Sequence, residues 1–326
     1  MKKAFVTGGT GFIGSHLVEE LLRRGADEVR CLVRTRRKWL EGLPIREVRG
    51  DLFDEALIAE AVRDVDYVYH NAGLTRARDD DVLQQANVET TLRLMEVVAR
   101  VNPGVRRVVV TSTLAVIGRC ADRVATEESA LRPLSRYGVS KARMEEALSV
   151  WRDRLPVTIV RPPTVYGPRE ADLFALFRMA SKGIYPVAGN TREPTMSLVH
   201  VADLVQGMMA AAETPAAVGE TFFLGGEMFY SWRDLKEATM AALCRKAITV
   251  SVPPMLVGML GAVVEEVSRL GGILPPFHRE KAREIRYACK MCSIDKARRF
   301  LDYSPAVSLK QGVADAIAWY RAQGWL

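Results

Sequence analysis

Lys2-Lys3-Ala4-Phe5-Val6-Thr7-Gly8-Gly9-Thr10-Gly11-Phe12-Ile13-Gly14-Ser15-His16-Leu17 is the stretch on which the reading of this chain turns. Ala4 to Val6 is a short apolar run with the look of a buried strand. A glycine-rich turn follows at once. Ser15 to Arg24 then has helical periodicity, with Leu17, Leu21 and Leu22 on one face and Gly25 as the stop. Strand, glycine turn and helix, in that order, make a dinucleotide-binding unit. Gly8, Gly11 and Gly14 serve a tight turn, close approach of the backbone to a pyrophosphate, and close packing of helix on strand. The free N–H groups at the helix start would hold the phosphates.

Val29-Arg30-Cys31-Leu32-Val33-Arg34 reads as the second strand, and its end is informative. Twenty residues past Gly14, a site selective for NAD carries Asp or Glu for the ribose hydroxyls. Here Arg34 stands at that point, followed by Arg36, Arg37 and Lys38, and no acid occurs between Val29 and Leu40. Guanidinium groups grip a 2′-phosphate with a bidentate fork. NADP(H) is therefore favoured and NAD(H) remains open; the plain alternative is a solvated basic loop.

Further along, Glu47-Val48-Arg49 is a strand ending at Gly50-Asp51-Leu52, where Asp51 could accept from an adenine amino group or cap a helix. Asp66 to His70 is another strand, running into Asn71-Ala72-Gly73, whose small residues would let the backbone lie against a cofactor. His70 is read as a packed strand-end residue. Asp79 to Asp81 opens a helix, and Val82 to Arg100 is a long amphipathic one whose stripe of Val88, Leu92, Met95 and Val98 is core or a dimer face. Arg107 to Thr113 is a β-branched strand ending in the hydroxyls Thr111, Ser112 and Thr113. Twenty-four residues after Thr113 comes Tyr137-Gly138-Val139-Ser140-Lys141, opening a helix to about Trp151 and placing Tyr and Lys on one face. Val157 to Arg161 is the next strand, followed by the rigid Pro162-Pro163.

With these residues the chain resembles the extended short-chain dehydrogenase/reductase family, also called the NAD-dependent epimerase/dehydratase family. The likeness spans nearly the whole chain. It rests on Thr7 to Gly14, Gly50-Asp51-Leu52, Asn87-Val88, Thr111-Ser112-Thr113, Tyr137 with Lys141, Arg161-Pro162-Pro163, Tyr166-Gly167-Pro168 and Val199-His200-Val201-Ala202-Asp203. The resemblance implies an α/β fold, a Rossmann-type doubly wound parallel sheet with a smaller interleaved substrate region. Residues 1–168 and 197–230 would form the first part, with Thr221 to Leu224 as a late strand. Residues 169–196 and 231–326 would form the second. It also implies a homodimer through a four-helix bundle supplied by the two amphipathic helices.

For the site, the resemblance implies Tyr137 as general acid/base, Lys141 on the nicotinamide ribose and beside the phenol, and Thr113 on the substrate oxygen, with Ser112 in reserve. Pro163 and Thr164 would wall the nicotinamide. Gly8, Gly11, Phe12, Ile13, Gly14, Leu52, Ala72, Gly73, Asn87 and Thr111 would complete the cofactor cradle. The chemistry agrees with the residue types. Hydride transfer at a carbinol carbon requires proton transfer at its oxygen, and a phenol of pKa ~10 needs a neighbouring cation to act as a base near neutrality.

Three activities compete. Nucleotide-sugar epimerases and dehydratases of this kind commonly carry Arg-Asp before the aromatic-x-His-Val stretch, where Met196 and Ser197 stand here; Arg178 and Arg192 lie near enough in sequence to compensate. An oxidoreductase for an apolar alcohol or ketone fits better, since 252–276 looks like the region found in 3β-hydroxysteroid dehydrogenase-like and dihydroflavonol reductase-like members. That segment would be an apolar lid or rest peripherally on a membrane. A non-catalytic redox sensor would ordinarily lack the Tyr/Lys pair.

The bulk properties narrow the field. At 326 residues with 48% hydrophobic and 26% charged residues, the chain has the composition of a soluble globular protein. The glycine motif starts almost at Met1, so no signal peptide is expected, and the longest apolar run, Met255 to Val264, is too short for a transmembrane segment. The net charge of +7 is spread along the chain without a nucleic-acid motif, so no nucleic acid partner is expected beside a small-molecule substrate. Five cysteines, an odd number, suggest reduced thiols in a cytoplasmic protein. Cys289-x-x-Cys292 lacks the two further ligands that a zinc site needs.

Overall fold

In the computed structural model, residues 2–77, 79–120, 122–188, 192–193, 195–252 and 279–326 are described. Seven strands form the main sheet: β1 (Lys3–Thr7), β2 (Glu28–Val33), β3 (Arg46–Arg49), β4 (Tyr67–His70), β5 (Arg107–Thr111), β7 (Val157–Arg161) and β11 (Thr221–Phe223). Their order is β11-β7-β5-β4-β1-β2-β3, and every pairing is parallel. The chain builds outward from β1 in one direction, then crosses over and builds outward from β4 in the other. The sheet is therefore doubly wound, and its topological switch point lies between β1 and β4, where such sheets open a crevice at the carboxyl ends of the strands.

Alternation along each strand divides the core. Val6, Cys31, Val33, Tyr69 and Val109 face one side, packed against α1 (Phe12–Arg23) and α7 (Val201–Glu213). Phe5, Leu32, Val68, Val108 and Val110 face the other, against α2 (Glu55–Val62), α4 (Thr90–Val101) and α5 (Arg136–Leu148). Val88, Met95 and Val98 of the expected stripe are buried in this second layer and Leu92 packs partly against it, so the stripe is core.

The long helix read over Val82 to Arg100 is in fact three pieces: α3 (Asp80–Gln84), a π-helical turn Gln85–Glu89, and α4. Asp51 does not cap α2. Its carboxylate accepts from Phe53 N at 2.7 Å, and Asp54 is the cap, accepting from Leu57 N at 3.1 Å. The strand through Thr113 stops at Thr111, because Thr113 turns out to cap the 3₁₀ turn Leu114–Val116.

A second layer of structure sits at the carboxyl edge of the sheet. β8 (Thr164–Tyr166), β10 (Met196–His200) and β12 (Phe229–Tyr230) make a three-stranded sheet of their own. α6 (Asp172–Ser181), α8 (Trp232–Leu243) and the helix Leu309–Ala322 pack around Phe177, Tyr185, Leu235, Val313 and Tyr320. The helix Arg279–Tyr287 lies against the start of α5. Nearly all of the segment read as an apolar lid, from residue 253 to 276, lies outside the described residues. None of the helices among the described residues is long and apolar enough to cross a membrane.

The cysteines correct the expectation of five reduced thiols. Cys120 and Cys289 form a disulfide, with Cα atoms 5.7 Å apart across a sequence separation of 169. The spacing Cys289-x-x-Cys292 does not pair, because Cys292 is buried in the strand Met291–Cys292 (β14), which runs beside Val124–Ala125 (β6). Cys31, Cys244 and Cys292 are free. A closed loop of that length restricts the unfolded chain and stabilises the fold by roughly 2–4 kcal/mol. Thiol titration of the denatured, unreduced protein is therefore expected to find the three free cysteines; a count of five would mean that the Cys120–Cys289 bond does not form.

Candidate active site

The crevice at the switch point is shaped by glycines. Gly8, at φ +70°, follows β1, and a Cβ there would meet Asn71 C and Ala72 N at 2.7 Å, the turn after β4. At Gly14, in the first turn of α1, a Cβ would lie 2.2 Å from Gly8 O. Backbone therefore packs on backbone where a pyrophosphate must come close, and the N-terminus of α1, with no side chain capping it, opens at that point. Phe12 and Ile13 begin that helix, and Gly11 is its N-cap. The buried Asn71 amide nitrogen has no hydrogen-bond partner among the described residues. A bare backbone cradle, an uncapped helix start and an unpaired buried donor together fit a dinucleotide.

Behind the cradle runs a chain of buried polar groups. Ala72 N donates to Thr7 Oγ1 at 3.2 Å, and that hydroxyl lies 2.8 Å from His70 Nδ1. On the other side of the ring, Nε2 is 2.8 Å from Thr91 Oγ1, which in turn donates to Asn87 O at 2.8 Å. Thr91 spends its proton on Asn87, so His70 Nε2 donates to it, and in the neutral ring that burial favours Nδ1 accepts from Thr7. Burial, reinforced by the charge of Lys141, depresses its pKa to about 3. Asn87 itself sits in the π-helical turn. Its amide donates to Leu74 O and Ser140 Oγ, both at 2.9 Å, and its oxygen accepts from Leu74 N at 2.8 Å. Asn87 thus ties the loop after β4, which includes Ala72 and Gly73, to helix α5. Its oxygen would stand 2.7 Å from any Cβ on Gly73.

α5 carries Tyr137 and Lys141. Ser135 caps it, accepting from Gly138 N at 3.2 Å. Thr113 stands close enough to the Tyr137 phenol to act on it, so these two expected partners meet. In the protein alone, burial pushes the phenol up to about 12, while Thr113 acts in the opposite direction. Lys141 is only 4% exposed and donates to Met144 Sδ at 3.2 Å. Burial lowers its pKa to about 8, against an opposing pull from Glu145.

Ser112 is not in this group: its buried hydroxyl donates to Glu145. Glu145 is also gripped by Arg161, with Nη2 to Oε2 at 2.6 Å and Nε to Oε1 at 3.0 Å, and both side chains are buried. Sequence reading missed this pair. The signal was present, since Glu145 stands four residues after Lys141 on the same helix face and Arg161 ends a buried strand. Thr111 donates to Asn71 Oδ1. Pro163 is buried, and Thr164 is exposed at the start of β8. Asp51 is exposed beside the buried Leu52 at the end of β3.

The basic cluster after β2 is divided. Arg37 is committed to Glu47 at 2.6 Å, whereas Arg34 and Arg36 stand exposed at the strand end. Met196 and Ser197, in the positions where a diphosphate-binding pair was sought, belong to the core: Met196 packs with Phe177 and Tyr185, and Ser197 Oγ accepts from Cys292 N at 3.1 Å. The His200 and Asp203 motif also serves structure. His200 caps α7 by accepting from Ala202 N at 3.3 Å, and Asp203 accepts from Ala306 N and Val307 N at 3.0 and 3.1 Å.

Comparison with known proteins agrees with this geometry. A family model described as the NAD dependent epimerase/dehydratase family matches residues 4–225. The chain is 31% identical to the sterol demethylase protein B of Methylococcus capsulatus, over 98% of this chain and 99% of that one. It is 27% identical to the ceramide reductase of Caulobacter vibrioides, over 98% and 95%. Among solved structures, MoeE5 in complex with UDP-glucose and NAD superposes with a TM-score of 0.77 at 27% identity, covering 98% of this chain and 99% of that one.

The neutral His70 makes stability depend on pH. Its folded pKa, about 3, lies below the unfolded value near 6.5, so the unfolded state takes up the proton first as pH falls. The stability contributed is complete above 6.5 and is lost on the way down to about 3, by up to about 1.4 kcal/mol per pH unit. Urea denaturation of wild type and His70→Gln between pH 7 and 4 should show a shallower fall in the variant; parallel curves would mean that His70 is charged in the fold.

Proposed function

The chain belongs to the NAD dependent epimerase/dehydratase family and is an enzyme of the extended short-chain dehydrogenase type, and from this we propose that it interconverts a secondary alcohol and a ketone on a largely apolar small molecule. The observation that carries the reading is the bare glycine cradle at the start of α1, with Tyr137 and the buried Lys141 on one helix and Thr113 close enough to Tyr137 to act on its phenol. A bound nicotinamide dinucleotide supplies the hydride acceptor or donor. Gly8, Gly11, Gly14 and the start of α1 hold its pyrophosphate, Asn71 to Gly73 line its middle, and Pro163 and Thr164 wall the nicotinamide. Tyr137 moves the proton at the substrate oxygen, Thr113 orients that oxygen, and the ammonium of Lys141 favours the phenolate.

Substrate class rests on the second pocket wall. Met196 and Ser197 are spent on packing, so the positions that would grip a diphosphate offer no cation. The relatives named for a sterol and a ceramide point the same way, and MoeE5, bound to UDP-glucose, marks the runner-up, a nucleotide-sugar epimerase or dehydratase. A homodimer belongs to the same proposal. For the cofactor, we infer a preference for NADP(H), carried by Arg34 and Arg36 and not by Arg37, whose guanidinium Glu47 already occupies.

Tyr137→Phe is expected to abolish nearly all turnover of hydroxysteroids or aryl ketones while leaving cofactor affinity within a few-fold, because it deletes a proton and little packing volume. Thermal-shift titration with UDP-, GDP- and dTDP-sugars should add nothing to the shift given by cofactor alone. A clear shift with epimerised product establishes the runner-up instead. Arg34→Asp is expected to weaken NADPH by about tenfold or more, the scale of one lost charge-assisted bidentate contact, and to spare NADH. Fluorescence titration reads both, and tighter binding of NADH by the wild type would refute the NADP(H) preference.

A further inference from the structure

The Cys120–Cys289 disulfide joins two parts of the chain beside the catalytic helix. On one side, Cys120 follows the 3₁₀ turn Leu114–Val116, which Thr113 caps. On the other, Cys289 stands two residues after helix Arg279–Tyr287. Side chains dock that helix on the start of α5. Glu280 accepts from Arg136 Nε at 2.7 Å, and Glu284 accepts from the Ser135 hydroxyl at 2.6 Å. The same hydroxyl caps the first turn of α5, in which Tyr137 lies. From Cys289 onward the chain is held by backbone instead. Cys289 N donates to Gly118 O at 2.6 Å, Ser197 N donates to Lys290 O at 2.7 Å, and Met291 and Cys292 run beside Val124 and Ala125. The disulfide therefore marks the boundary between a segment built into the fold and a helix laid upon it. Arg119, next to Cys120, and Arg286 of the helix both lie on the Tyr287 ring, at 5.0 and 4.9 Å, and close the same joint.

We propose that this bond is a thiol-exchange site: a small thiol opens it, and the opened joint lets helix Arg279–Tyr287 leave the catalytic helix. Both cysteines are half-buried and border an open cleft of about 330 Å³, whose wall also includes Asp122, Thr195, Tyr287 and Met291. A thiol of low mass reaches the bond through that cleft. The exchange is two displacements. A thiolate attacks one cysteine sulfur, the S–S bond breaks, and its electron pair leaves on the other sulfur, which takes up the proton that the small thiol gave up. A second thiolate attacks the mixed disulfide, frees the remaining cysteine, which is protonated in the same way, and departs with the first as a small disulfide. The protein is reduced by two electrons and the two thiols are oxidised. Cys292 does not supply the second thiol, because it is buried in its strand and burial pushes it up to about 12. A helix held at the surface by side chains is the kind of unit that opens while the rest stays folded. Its departure takes Glu284 from Ser135 and loosens the turn that carries Tyr137, whereas the glycine cradle is built from other elements.

The test treats the native full chain with dithiothreitol, then with iodoacetamide, and reads each cysteine by mass spectrometry. Cys120 and Cys289 should become labelled. Brief trypsin digestion should then cut after the exposed Arg283 and Arg286 about tenfold faster than in the oxidised protein, since cleavage tracks local opening. Reduction should lower kcat for a ketone about fivefold or more, the scale of a small misplacement of a catalytic group, and leave the NADPH dissociation constant within about twofold. Reoxidation with diamide should reverse both changes. Cys120→Ser and Cys289→Ser should each behave as the reduced protein without any reductant, and Cys244→Ser as wild type. Absence of label on Cys120 and Cys289 overturns the proposal, because the bond is then closed to small thiols. Label without faster cleavage overturns it as well, and so does loss of NADPH binding with the whole fold, which would make the bond a staple of global stability. The kcat measurement rests on the alcohol–ketone reading and the cleavage does not. No turnover of ketones by the oxidised protein therefore overturns that reading, while the cleavage still decides the exchange site.

Discussion

Two turns of backbone meet at the switch point of the sheet, and everything in the site is positioned from that contact. The turn after β1 packs on the turn after β4, with no side chain between them at Gly8, and α1 begins over Gly8 O at Gly14. A methyl group at either place would lie at 2.2–2.7 Å from main-chain atoms, which are held by the parallel ladder and cannot yield cheaply. The depth of the crevice and the direction of the α1 N-terminus follow from this closeness. An anion is drawn to that end of the helix because its first N–H groups have no partner within the helix.

Buried polar groups extend this order away from the glycines. The His70 ring joins Thr7 at the end of β1 to Thr91 on α4, and Asn87 joins the loop after β4 to Ser140 on α5. Each group is satisfied, as buried polar groups must be, and each bond crosses from one element to another. The π-helical turn Gln85–Glu89 belongs to the same arrangement. One extra residue in the turn lets Asn87 face two different elements while the apolar stripe of Val88, Met95 and Val98 stays on the sheet.

The Glu145–Arg161 pair performs the corresponding task beneath the catalytic helix. A buried ion pair contributes little net stability compared with apolar residues of the same shape, but losing one partner costs about 3–5 kcal/mol. Its value here lies in registration. Glu145 takes the Ser112 hydroxyl and the Arg161 guanidinium together, which fixes the end of β5 and the end of β7 against one face of α5. Thr113, the next residue after Ser112, is then carried to Tyr137. The hydroxyl that looks redundant in Thr111-Ser112-Thr113 is the one that anchors the other two.

The sequence by itself determined the class of fold, the order strand–glycine turn–helix at the N-terminus, the limits of most strands and the Tyr137/Lys141 helix. These are local: period-2 and period-3.6 patterns, turn glycines and a four-residue spacing depend on neighbours within a few positions. Arg37 looked equivalent to Arg34 and Arg36 because nothing local says that Glu47, one strand away, will claim it. Cys289 was expected to be a reduced thiol, yet it is bonded to Cys120, 169 residues distant. Ser112 against Thr113, the π-helical break at Asn87, and the arrival of Glu284 at the Ser135 hydroxyl were likewise decided only in three dimensions. Such assignments depend on which elements the sheet order brings together, and a bond between distant residues leaves no periodic trace in the chain that makes it.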